Sequence, residues 1–257
     1  MSARRIDLNA DVGEIPAALA DGSEARLVRV VTSVNIACGG HAGNAESMAA
    51  LVSIAHRLGV AIGAHPSYPD PANFGRNPML ISAPDLQASI TAQVEALIDV
   101  AHAQGARVRH VKPHGALYNI AAASADVAAT IARALEEWRS DLILVGLAGA
   151  PVLDVWREAG FRVAAEAFAD RRYEPNGGLR GRRHADALVT DPAAAAQQAL
   201  DIVEGRGAVS IGGRRVLLAP ETLCVHGDTP NAVAIAPAVR AALEAHGIKL
   251  QRFGGAA

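Results

Sequence analysis

The chain has 257 residues, with 24 Lys and Arg against 26 Asp and Glu and a hydrophobic content of 51%. That length and apolar content suffice for a large buried core, while the formal net charge of -2 argues against nucleic acid or an anionic membrane as the main partner. The longest apolar stretch, Leu142 to Leu153, is interrupted by glycines and too short to span a bilayer. Met-Ser-Ala-Arg-Arg runs straight into Ile6-Asp7-Leu8, so no leader is expected, and Cys38 and Cys224 are lone thiols without zinc spacing. These features predict a cytoplasmic protein.

Short β-branched or leucine-rich runs alternate with Ala-rich amphipathic ones, the pattern of a parallel sheet wrapped by helices. The first strand is expected at Arg5 to Leu8. Ser23 is expected to cap a helix running to about Thr32, and Ser33 to Ile36 reads as strand two. A helix from Asn44 to Leu58 ends at Gly59 and feeds strand three, Val60 to Ala64. Ser82 with Asp85 forms a capping-box pattern for a long helix closed by Gly105. Strand four, Val108 to Lys112, is followed by a helix near Ser124 to Trp138, strand five at Leu142 to Gly146, and a short helix at Pro151 to Ala159. Strand six, Arg162 to Ala167, leads into an arginine-rich loop ending at Arg183, and Asp191-Pro192 opens another helix. Gly212-Gly213 joins a hairpin. Strand seven is expected at Thr222 to Val225, with Thr229-Pro230 capping the last helix and Gly247 ending it.

Asp11, Asn35, His41, His65, His114, Asp170, His226 and Asp228 all fall at, or just after, the C-terminal end of an expected strand. Strand ends share one face in an α/β barrel, and that face holds the active site. A doubly wound open sheet gathers them mainly near its switch point. The expectation is therefore an irregular (β/α) barrel of seven strands, a single domain over residues 1–257 with a short hairpin insertion near 207–218.

Residues 110–119, His-Val-Lys-Pro-His-Gly-Ala-Leu-Tyr-Asn, concentrate polar groups around Pro113 and Gly115 and read as a rigid turn that neither continues a strand nor begins a helix. Of the 24 basic residues only Lys112 and Lys249 are lysines, which gives Lys112 weight as a compact ammonium beside a site. A solvated loop lysine is the alternative. Asp7, Asp11 and Glu14 crowd three carboxylates together, as cation ligands or as caps and ion-pair partners, and Asp11 is the best placed for chemistry. His65 and His114 with Asp11 fit a two-histidine, one-carboxylate set for a divalent ion, although a histidine at a strand end is often structural. His41 approaches a ligand or fills a Gly-Gly-His-Ala-Gly turn. Asp170-Arg171-Arg172 forms an anion clamp or a solvated basic loop. His226-Gly227-Asp228 supplies a general base with an orienting carboxylate, unless Asp228 only supports the next helix. Cys38 reads as a small buried thiol rather than a nucleophile.

Several segments together resemble the LamB/YcsF family, which supplies the A component of prokaryotic 5-oxoprolinase. They are Asp7-Leu8-Asn9-Ala10-Asp11-Val12-Gly13-Glu14, Asn35-Ile36-Ala37-Cys38-Gly39 with His41-Ala42-Gly43, Gly63-Ala64-His65-Pro66, Phe74-Gly75-Arg76, Val111 through Asn119, Phe168-Ala169-Asp170-Arg171 with Tyr173, and Cys224 through Pro230. Gly40, Asn44 and Ile15-Pro16-Ala17 depart from the family pattern, which has Phe, Asp and Ser-Phe-Gly there. The resemblance implies a barrel of the glycoside hydrolase/deacetylase type and ATP-dependent opening of 5-oxoproline to L-glutamate, performed with separate B and C subunits. ATP is then a co-substrate handled mainly by those partners, since no G-x-x-x-x-G-K-[ST] segment occurs here. The site residues so implied are Asp11, Lys112, His114 and Asp170 for catalysis, and Asn35, His41, Arg171, His226 and Asp228 for substrate. Any divalent ion maps onto Asp11, His65 and His114, by analogy with deacetylases. Two rival readings are a stand-alone metal-dependent amidohydrolase or deacetylase and a non-catalytic regulatory subunit.

Overall fold

A computed structural model describes residues 4–254. Six parallel strands, β1 (Arg5–Val12), β2 (Ser33–Ala37), β3 (Ala61–His65), β4 (Val108–Val111), β5 (Ile143–Leu147) and β6 (Arg162–Phe168), pair in chain order. After an antiparallel ribbon of β7 (Ala208–Val209) and β8 (Arg215–Val216), β9 (Thr222–His226) pairs with both β6 and β1 and closes a seven-stranded barrel. A short β10 (Lys249–Leu250) runs beside the start of β1.

Helices cover the outside: α1 (Pro16–Ala20), α2 (Ser23–Val28), α3 (Ala45–Leu58), α4 (Ala83–Ala103), α5 (Gly115–Ala121), α6 (Ala125–Ala134), α7 (Val152–Glu158), α8 (Pro192–Val203) and α9 (Ala232–Ala245). Their starts follow local chemistry. Asn44 and Ser47 form a reciprocal capping box, and Ser82, Ser124 and Asp191 each accept a first-turn N–H. The apolar residues of strands and helices meet in a core between the sheet and the helical layer, including Leu8, Ile36, Leu51, Ile90, Leu97 and Leu223. Among the described residues no helix is long and apolar enough to cross a membrane.

The barrel's inside is polar. Register pairs Asp7 with Thr222, Asn9 with Cys224 and Asp11 with His226, so alternate residues of β1 and β9 point to the axis. Asn9 donates to Glu166 Oε1 (3.0 Å) and Thr222 Oγ1 (2.7 Å), and Asn35 donates to Asn9 Oδ1 and Asp11 Oδ1 (both 2.8 Å). At the opposite end from the strand C-termini, Phe253 packs edge-on against His110 (5.0 Å) and against Ile143, Val145 and Ala164.

Several expectations change. β1 continues through Asn9 and Asp11 because these side chains bond to interior partners instead of making a turn. Ser23 does not cap α2: Gly22, at φ 76°, precedes the helix, and the Ser23 hydroxyl donates back to Ala18. That helix stops at Val28, and Thr32 instead bonds Asp7 and the Leu8 N–H. Residues 110–119 are not all turn. Gly115, at φ +55°, lets α5 start directly after His114, and a Cβ there would meet the Gly75 carbonyl oxygen at 2.5 Å. Thr229 does not cap α9, since its hydroxyl is engaged by Asp170 and Asn231 occupies the cap position at φ 67°.

Candidate active site

At the C-terminal end of β1, Asp11 faces the axis, and Gly13 at φ +81° turns the chain with its N–H on buried Glu24 (2.7 Å). Lys112 stands one residue past β4, its N–H extending the ladder to Ala64 (2.9 Å). Both side chains are buried. The Lys112 ammonium lies 2.9 Å from Asp11 Oδ1, 2.9 Å from Glu166 Oε1 and 3.0 Å from Cys224 Sγ, and it donates to Asp11 and Cys224. Burial alone would raise the Asp11 pKa, but His65 and Lys112 hold it well below the usual carboxylate range. Burial alone would lower that of Lys112, but Asp11 above all, with Glu166, keeps the ammonium charged. Cys224 is pushed well above its ordinary value by burial and stays a thiol.

Asp170, two residues beyond β6, accepts from His226 Nδ1 (2.9 Å), from the His226 main-chain N–H (2.9 Å) and from Thr229 (2.6 Å). Burial opposes its ionisation, yet His226 and these bonds bring its pKa down to about 2. The carboxylate fixes the proton of His226 on Nδ1 and leaves Nε2 facing Asp11 Oδ2 at 3.9 Å. The orienting carboxylate for His226 is therefore Asp170 and not the neighbouring Asp228. Asp228 instead pairs with Arg182 through two bonds (2.8 and 3.1 Å) and with Arg76.

His41, His65 and His114 meet around Glu14. His65 Nδ1 donates to the Lys112 carbonyl (2.6 Å) and His114 Nε2 to the Phe74 carbonyl (3.0 Å). The remaining nitrogens, His65 Nε2 and His114 Nδ1, are 3.0 Å apart, and Glu14 Oε1 lies 3.0 Å from the latter. His41 Nε2 is 3.0 Å from the same oxygen, and burial brings the His41 pKa down to about 4, which keeps the ring neutral.

Asp11, His65, Lys112, His114 and His226 line the bottom of an open cleft of about 1060 Å³. Arg76, Arg171, Arg182 and Arg183 stand around its mouth. Arg171 is buried, its pKa drawn down to about 10 by burial and by Arg182, and it donates to the Arg180 carbonyl (2.7 Å) while its Nε has no partner among the described residues. The cleft thus joins a cationic mouth to a buried floor of carboxylates, one ammonium and imidazoles. Such a floor is equipped to move protons, and such a mouth to hold an anion.

Asn35 sits inside the barrel, where it also accepts from His110 Nε2 (2.9 Å), and does not line the cleft. Sequence patterning passes over Glu166 and Arg182, places Tyr118 and Arg76 within motifs without giving them a role, and sets Glu14 behind Asp11. Glu166 carries a usable signal. A charged residue midway along an Ala- and Val-rich strand with helices on its outer face has only the barrel interior to face. Tyr118 borders the cleft, and burial with nearby Glu166 holds its phenol well above its ordinary pKa. Arg182 has no spacing that sets it apart from its neighbours in the arginine-rich loop.

A family model described as the LamB/YcsF family matches residues 6–257. Relatives named as the A subunit of 5-oxoprolinase are similar at 49% identity in Chloroflexus aggregans, covering 96% of this chain and 98% of the relative, and at 47% in Methylococcus capsulatus, covering 98% and 97%. The crystal structure of a lactam utilization protein from Thermus thermophilus superposes with a TM-score of 0.88 at 39% identity, over 97% of this chain and 100% of that one. The chain belongs to the LamB/YcsF family.

Proposed function

We propose that this chain is the A subunit of a cytoplasmic 5-oxoprolinase and opens the ring of 5-oxoproline to L-glutamate, with ATP consumed in concert with separate B and C subunits. The names of its close relatives support the substrate class. The observation that carries a catalytic role is the Asp170–His226 pair facing the Asp11–Lys112 pair across the cleft floor. A five-membered lactam resists water, and transfer of a phosphoryl group to its carbonyl oxygen makes C5 a better electrophile. In this reading His226 Nε2 takes a proton from the attacking water, whose oxygen bonds to C5. The ring C–N bond then breaks, the leaving nitrogen receives the proton back from His226, and a second water hydrolyses the acyl phosphate so formed to L-glutamate and inorganic phosphate. Asp170 holds the tautomer and stabilises the imidazolium that forms.

Arg171, Arg76 and Arg182 suit the substrate carboxylate or the phosphoryl group. Lys112 acts on a substrate anion through its field rather than by a direct bond, since Asp11, Glu166 and Cys224 already surround its ammonium, and its nearer task is to hold Asp11 ionised.

The test is glutamate formation from 5-oxoproline and ATP, measured with the partner subunits in the presence and absence of this chain and of its His226→Ala variant. Turnover that needs the wild-type chain and collapses with the variant is the expected result. Full turnover with His226→Ala would reduce the chain to a regulatory role. Hydrolysis of N-acyl substrates by the chain alone, without ATP, would make it a stand-alone amidohydrolase.

A further inference from the structure

The proton positions around Glu14 do not balance without an added positive charge. A carbonyl oxygen only accepts, so His65 Nδ1 and His114 Nε2 both carry hydrogens. With both imidazoles neutral, His65 Nε2 and His114 Nδ1 face each other as lone pairs at 3.0 Å. The charge that joins them is either a proton, which Asp11 and Glu14 favour on His65 against its burial, or a metal ion. Glu14 Oε1 adds a third electron pair, 3.0 Å from the His114 nitrogen and 3.7 Å from the His65 nitrogen. All three side chains are buried. We propose that Glu14, His65 and His114 bind one divalent transition-metal ion, with zinc the best match, and that His41 positions the Glu14 carboxylate.

The spacing supports this. Ligand atoms held 2.0–2.1 Å from a tetrahedral ion stand about 3.3 Å apart, close to the 3.0 and 3.7 Å seen here. The His65 and His114 rings are nearly perpendicular, at 84°, so their in-plane lone pairs converge from different directions. Each ring is also fixed through its second nitrogen by a main-chain carbonyl, which is how metal-binding histidines are ordinarily held. His41 cannot be a fourth ligand in this geometry. Its ring is stacked on that of His114, 3.6 Å away and 2° from parallel, so the two in-plane lone pairs do not meet at one point. Its Nε2–H instead donates to Glu14 Oε1. Asp11 Oδ2 approaches His65 Nε2 at 3.3 Å, but the Asp11 carboxylate already accepts from Lys112 and Asn35. Two imidazoles and a carboxylate favour zinc or a neighbouring first-row ion over calcium or magnesium.

The ion site stands independently of the ring-opening reading, and its test reads metal rather than turnover. The full-length chain is stripped with a chelator, gel-filtered, and titrated with Zn²⁺ and, in parallel, with Co²⁺, whose visible absorption reports its ligands. One ion per folded chain is expected. His114→Ala and Glu14→Gln should lose it, His41→Phe should bind about 10- to 100-fold more weakly, and Asp11→Asn should keep one equivalent. A folded wild-type chain that takes up no ion overturns the proposal and leaves a shared proton in its place, whatever the variants do. An ion kept by Glu14→Gln and lost from Asp11→Asn would overturn it equally, by moving the carboxylate ligand to Asp11.

Discussion

Lys112 and Glu166 form a 2.9 Å ion pair inside the barrel, with 3% and 0% of their side chains exposed. Removing one partner of such a pair strands a buried charge, at a cost of about 3–5 kcal/mol. Lys112→Met leaves both Glu166 and Asp11 without their cation, so equilibrium denaturation should show a loss of that size together with lost turnover. Lys112→Met combined with Glu166→Gln should recover part of the stability but not the activity. A single variant as stable as wild type would show that water reaches these carboxylates.

The His226 tautomer should invert when Asp170 becomes Asn. The His226 main-chain N–H points at Oδ2 and requires an acceptor there, so the amide oxygen of Asn must take that position. The NH₂ group then faces His226 Nδ1, which has to become the acceptor, and the proton moves to Nε2. A base with its lone pair turned away should cost about 10²- to 10⁴-fold in turnover. Nitrogen NMR of His226 reads the tautomer directly. An inverted tautomer with turnover within about twofold of wild type would remove His226 from the reaction.

Asp7 gives a pH dependence with an unusual sign. Burial raises its pKa from 3.8 to about 6 despite three hydroxyl donors, Thr222, Thr32 and Ser33. The folded state therefore holds a proton that the unfolded state has released between roughly pH 4 and 6, and this group's contribution to stability falls as pH rises through that window. The shift amounts to about 3 kcal/mol. Asp7→Asn should flatten the fall, measured as denaturant midpoints from pH 4 to 7. An unchanged profile would assign the shift to other groups.

The resemblance leads one to expect Phe at position 40, where this chain has Gly, and the neighbours of Gly40 explain how the space is filled. A Cβ on Gly40 would collide with the Gln93 amide and the Ser67 hydroxyl. Gln93 is tied there by the Ser67 N–H (3.0 Å) and by its own bond to the Ser67 carbonyl (2.9 Å). Gly40→Phe alone should destabilise by about 1–3 kcal/mol, and pairing it with Gln93→Ala should remove most of that penalty. Additive effects in the double-mutant cycle would show that the two positions do not compete for the space.

The barrel was legible in the alternation of strands and helices, and the candidate site's position in the polar residues placed after strand ends. Pairings were much less so. Nothing near Asp228 in the chain indicates that Arg76 and Arg182 reach it, or that His226 takes its carboxylate from a residue 56 positions away. Asn9 and Asp11 resemble turn residues when read one at a time, and they become strand residues only because Asn35, Thr222 and Lys112 converge on them. Glu14 and Asp11 are both carboxylates near one strand end, and sequence spacing alone had no means of telling that one would face an ammonium and the other three imidazoles.

Phe253 and the cleft stand at opposite ends of the barrel. The aromatic ring lies against His110 at one end, while Asp11 and Lys112 border the cleft at the other. Anything that fills the cleft, whether ligand or partner protein, then displaces the water nearest the Asp11–Lys112 pair. With that screening gone, the pair's field acts on the occupant more strongly for as long as it stays.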